Sequence, residues 1–104
     1  MIFSFFRDED LDLFARSLAV ELNARVPPKS LGDRISNPKF EATLANAFHH
    51  VFLRVKNYRR DHALGLIKKA RLSKVFQDEL VGLGYSKDFV KEVTLALAEQ
   101  LTQA

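Results

Sequence analysis

Hydrophobic residues recur at three- and four-residue spacing through four stretches of the chain, and the few prolines and glycines fall between those stretches. That period belongs to amphipathic helices, so the pattern predicts an all-helical protein. The first helix is expected from Asp8 to Arg25. Asp8, Glu9, Asp10 and Asp12 crowd its positive end, and Pro27-Pro28 stops it. Leu11, Phe14, Ala15, Leu18 and Leu22 form its main apolar stripe, while Leu13 and Val20, seven apart, lie on the opposite side. A helix apolar on two sides is usually sandwiched. The expected cover is residues 1–7, an apolar arm carrying Phe3, Phe5 and Phe6; a dimer seam is the alternative.

Residues 27–36 form a connector with room for one helical turn. Asn37-Pro38 then supplies an N-cap followed by proline at the first helical position. The second helix continues to about Arg60, with Phe40, Leu44, Phe48, Val51, Phe52, Val55 and Tyr58 as its stripe and Leu53 on its polar face. The third segment, roughly Ala63 to Leu83, is less regular. Leu72, Val75, Phe76, Leu80 and Leu83 share a face, but Leu66, Ile67 and Ala70 point elsewhere. The phase slips near Leu72-Ser73, which suits either one helix buried on two sides or two short helices kinked there. Gly82 and Gly84 end the segment. Ser86 caps a last helix whose buried face is Phe89, Val90, Val93, Leu97 and Leu101, with Leu95 outside it and Tyr85 and Val90 placed as a hydrophobic staple.

Charge changes this picture. Residues 51–76 carry eight of the sixteen basic side chains against one acid, Asp61, whereas the first fifty residues net −1 and the last twenty-eight net −3. A basic middle between acidic ends is the usual footprint of a polyanionic partner. Arg54, Lys56, Arg59 and Arg60 lie toward the end of the second helix; Lys68, Lys69, Arg71 and Lys74 begin the third. If those helices run antiparallel, the charges gather at one end of a bundle and can grip phosphates, with Tyr58 or His62 to stack on a base. Positive charge is unfavourable where a helix begins, which favours a role for Lys68 and Lys69. The competing expectation is self-pairing, with Asp78, Glu79 or the acidic first turn neutralising the cluster. Sequence-specific reading of DNA is disfavoured. The helix after the Gly82–Ser86 turn carries Asp88, Glu92 and Glu99, which would face phosphate, and a turn near Ser73 would present Lys74, Gln77 and Asp78.

Composition excludes several classes. With no cysteine there is neither a disulfide framework nor a thiolate metal site. No run approaches the ~18 apolar residues that span a bilayer. Met1–Phe6 is too short for an export signal and runs straight into acids, so a cytoplasmic location is expected. His49 and His50 are adjacent and point about 100° apart on a helix, so they cannot share one metal there. The acid cluster of residues 8–12 lacks the glycine turn and closing glutamate of a calcium loop. There is no nucleophile in a familiar setting and no glycine-rich phosphate loop, so no catalytic residue, metal or cofactor is expected.

One local resemblance concerns Leu80-Val81-Gly82-Leu83-Gly84-Tyr85 and the helix that follows to Leu101. It resembles the helix–Leu-Gly-Tyr–helix unit of ubiquitin-associated-type modules, and is similar to the C-terminal domain of the bacterial Holliday-junction branch-migration protein. The resemblance covers about a fifth of the chain. It rests on helix-capping residues and brings over neither a function nor binding residues.

The expectation is therefore a single domain over residues 1–104, an all-α, compact four-helix up-and-down bundle. Its expected role is that of a small non-catalytic binding or regulatory module. One route is a polyanion such as nucleic acid, held without sequence preference by Arg54, Lys56, Arg59, Arg60, Lys68, Lys69, Arg71 and Lys74. The alternative is a protein partner or a second copy, met by Leu13, Val20, Leu53 and Leu95, with no membrane involved.

Overall fold

The computed structural model describes residues 8–33 and 37–102. They form four α-helices, α1 (Asp8–Arg25), α2 (Pro38–Asp61), α3 (Leu66–Gly82) and α4 (Lys87–Thr102), with a short 3-10 helix at Pro28–Asp33. The apolar arm expected to pack on α1 lies outside the described residues.

Local chemistry sets several of the helix ends. The Asn37 side chain accepts the Lys39 N–H at 3.1 Å and Pro38 opens α2. The end of α3 is a Schellman turn: Tyr85 N–H reaches the Leu80 carbonyl and Gly84 N–H the Val81 carbonyl. Gly84 takes φ +100°, the one positive φ among the described residues. A β-carbon there would meet only Pro28, at 4.0 Å, so backbone conformation rather than space selects glycine. Ser86 Oγ accepts the Phe89 N–H at the start of α4.

The third segment is one unbroken helix that begins at Leu66, three residues later than its pattern suggested. The apparent phase slip has a simple cause. Leu72, Phe76 and Leu80 are fully buried, whereas Leu66 and Ile67 are 84% and 85% exposed, so the early apolar residues belong to no buried face.

Side-chain pairs give the helix directions. Asp8 meets Lys68, Asp12 meets Arg71 and Arg16 meets Glu79, so α1 and α3 run parallel. Phe48 meets Phe89 and Arg59 meets Gln100, so α2 and α4 are parallel too. Phe14 against Tyr58 and Glu21 against Arg54 make α1 antiparallel to α2. Direction thus alternates along the chain, up-down-up-down. In space α1 packs on α3 and α2, and α4 packs on α3 and α2, leaving α2 and α3 on a diagonal. Ala15 and Ala19, both fully buried, lie on the side of α1 that carries Asp8 and Asp12 toward α3. Small residues there suit the most extensive helix pairing among the described residues.

Leu11, Leu18, Leu22, Val51, Val55, Leu72, Phe76, Leu80, Val93, Leu97 and Leu101 fill the interior, and no polar or charged residue among those described is buried. No helix of the described residues is long and apolar enough to cross a membrane.

Candidate functional site

Of the eight basic side chains singled out by sequence, six are held by partners within the molecule. Arg54 is the most tightly tied. Its Nη1 donates to Glu21 Oε1 at 2.6 Å, its Nη2 to Ser17 Oγ at 2.7 Å, and its guanidinium lies 5.6 Å from the Phe14 ring centroid. Burial works to raise the Glu21 pKa, yet the hydrogen bonds and charges of Arg54 and Arg25 outweigh it and hold the carboxyl below its ordinary value. Arg59 donates to the Gln100 carbonyl at 2.6 Å, one of the acceptors that the last turn of α4 leaves without a helical partner.

Lys68 donates to Asp8 at 2.6 Å, and Arg71 grips Asp12 with two 2.8 Å hydrogen bonds. The hydrogen bond from Lys68 lowers the Asp8 pKa, and that from Arg71 lowers the Asp12 pKa. Lys74 pairs with Asp78 one turn on, and Arg60 with Asp61. The acidic first turn of α1 therefore faces the basic first turns of α3. This parallel pairing resolves why Lys68 tolerates a helix start: its charge is met by the carboxylate of a neighbouring helix start. Lys56 and Lys69 are the two whose side chains carry no such contact among the described residues.

The directions do bring Arg59, Arg60, Lys68, Lys69 and Arg71 to one end of the bundle, where α1 and α3 begin and α2 and α4 finish. Arg54, Lys56 and Lys74 stand further along. Tyr58 is not open to a base, because Phe14 stacks on it at 3.9 Å and His62 at 4.2 Å, one on each face of its ring.

The four apolar positions singled out are all on the surface. Leu13 is 61% exposed, Val20 53%, Leu53 44% and Leu95 58%. They do not merge into one patch. Leu13 and Val20 share the outer edge of α1, while Leu53 and Leu95 sit on the outer edges of α2 and α4, each opposite its helix's buried stripe. Between α2 and α4 runs an open groove of about 260 Å³, lined by Phe48, His49, Phe52, Leu53, Lys56 and Gln100. The sequence pattern placed Phe48 and Phe52 in the buried stripe. They are only half-buried, because the stripe is wider than the contact that α4 makes with it. Their spacing of four, on the flank of the stripe, is the signal that marks a groove wall.

Among the described residues no group of three His, Asp or Glu side chains stands close enough to hold a metal ion. No protein-family model matches the chain, and no curated protein or solved structure is significantly similar to it.

Proposed function

We propose that this chain is a small non-catalytic interaction module that docks another protein surface through its outward apolar positions. The observation carrying this reading is an asymmetry of satisfaction. Leucines and valine at positions 13, 20, 53 and 95 remain in water, while six of the eight cations in the basic middle are paired with other groups of the same molecule. Isolated exposed leucines are ordinary, but Leu53 borders an open recess walled by the half-buried rings of Phe48 and Phe52, so its apolar surface is continued by aromatic surface beside it. A polyanion would first have to displace Glu21, Asp8 and Asp12 from Arg54, Lys68 and Arg71. That competition makes phosphate gripping the less favoured use of this surface.

A photo-reactive residue placed in turn at Leu13, Val20, Leu53 and Leu95 in the native cells tests the reading. A discrete protein adduct at one or more positions is expected, with the adduct lost when lysine replaces a neighbouring apolar residue on the same edge. Adducts to nucleic acid, with none to protein at any of the four, would overturn it.

A further inference from the structure

The exposed side of the bundle formed by α2 and α4 is complementary to itself. Phe48 against Phe89 and Arg59 against Gln100 fix the register of these parallel helices, so that a residue on α2 stands level with the α4 residue forty-one positions later. Leu53 is five residues from Phe48, about 140° around α2 from the side facing α4. Leu95 is five residues from Gln100, about 140° around α4 from the side facing α2. They are thus the two far edges of one face. Their heights agree within one residue, about 1.5 Å.

Charge follows the same division. On this face α2 presents Lys56, whose side chain has no partner among the described residues, beside His49. The α4 helix presents Asp88 and Glu99, exposed carboxylates. Glu99 stands two residues, about 3 Å, beyond the level of Lys56. One row of the face is basic and the other acidic, with Phe48 and Phe52 in the groove between them.

We infer that this face binds a second copy of the chain through a two-fold axis parallel to the helices. The inference rests on the interaction-module reading and names its partner. Such an axis lays α2 of each copy against α4 of the other without changing height or direction. Leu53 then meets Leu95 of the other copy at each rim, Lys56 meets Glu99 of the other copy, and the half-buried phenyl rings close over the axis. The Lys56–Glu99 pair and the Leu53–Leu95 pair each form twice because the contact is isologous. A perpendicular axis would instead set α2 on α2, basic row on basic row, and like charges would oppose it.

Sedimentation equilibrium of the full chain, from micromolar to millimolar, is expected to show a monomer–dimer equilibrium. Lys56→Glu and Glu99→Lys should each weaken it by roughly tenfold or more, since each homodimer then holds two like-charge contacts. Mixing the two variants is the decisive step. In the heterodimer position 56 of one chain again faces an opposite charge at position 99 of the other, at both contacts, so dimer should return. A Leu53→Cys, Leu95→Cys chain, in a background free of other cysteine, should oxidise to a covalent dimer. A wild-type chain that stays monomeric, or a dimer indifferent to the charge reversals and not rescued by mixing, would overturn the inference. Photo-adducts to a different protein in that event would leave the module reading standing; their absence would remove both.

Discussion

The two parallel helix pairs of this bundle are built by different means. The α1·α3 side is closed from within: Ala15 and Ala19 allow close approach, Asp8 and Asp12 neutralise Lys68 and Arg71, and the Tyr85 hydroxyl donates to the Val26 carbonyl at 2.6 Å where α1 ends. The α2·α4 side is joined by Phe48 against Phe89 and by Arg59 on the Gln100 carbonyl. It leaves a groove, an unpaired lysine and two exposed leucines. A bundle of four short helices needs only one contiguous core to fold. Surface beyond that core is free to serve association: α1 and α3 expose Leu13, Val20, Leu66, Ile67 and Val81, whereas α2 and α4 expose Leu53 and Leu95 on either side of a groove.

The sharpest way to break this contrast is to remove one aromatic from each region. Phe76 on α3 is the largest fully buried side chain among the described residues, and Phe76→Ala should cost about 3–5 kcal/mol in urea unfolding. Phe52→Ala, taken from the half-buried groove wall, should cost only about 1–2 kcal/mol. Equal losses would mean that the groove is part of the core rather than a surface.

Next in size is the tie between α1 and the turn after α3. Tyr85→Phe leaves the Val26 carbonyl without its partner and should destabilise by about 1–2 kcal/mol. Burial pushes the Tyr85 hydroxyl up to about 12, above its ordinary value near 10. Its contribution is therefore present below pH 10 and lost as pH rises through the interval to 12, a decline that Tyr85→Phe should flatten.

A smaller effect of opposite sign is expected at Thr94 on α4, whose buried hydroxyl has no hydrogen-bond partner among the described residues. Thr94→Val keeps the shape and removes the orphaned group, so thermal stability should rise by up to about 1 kcal/mol. A fall would mean that the hydroxyl is satisfied in solution.

The smallest effect separates the two sides by charge. Asp8 and Asp12 have depressed pKa values, through the hydrogen bonds from Lys68 and Arg71 respectively. Their contribution is complete above the ordinary carboxylate range and is lost as pH falls through their folded values. Asp12→Asn should reduce the acid dependence of the melting temperature and its sensitivity to salt. Lys56→Gln on the other side should leave both unchanged for the monomer.

Much of this fold was legible in single segments. The N-cap and proline of α2, the glycine of the Schellman turn and the serine before α4 are local signals, and local hydrogen bonds answer them. The outward positions of Leu13, Val20, Leu53 and Leu95 followed from helical phase alone. Less legible were Leu66 and Ile67, whose apolar character suggested a buried start to the third helix although they lie in water. Composition cannot separate an exposed leucine from a buried one where the helix outruns its neighbours.

What the sequence determined by itself was the set of helices, their ends and most of their buried faces, because caps and the 3.6-residue period act over a few residues. The tertiary structure alone decided that α1 lies beside α3, and so that Lys68 meets an aspartate sixty positions away and Arg71 one fifty-nine positions away. Those pairings depend on which helix faces come together across the core. A run of eight cations therefore stands out along the chain, yet half of it is answered in space by acids and acceptor groups brought in from other segments.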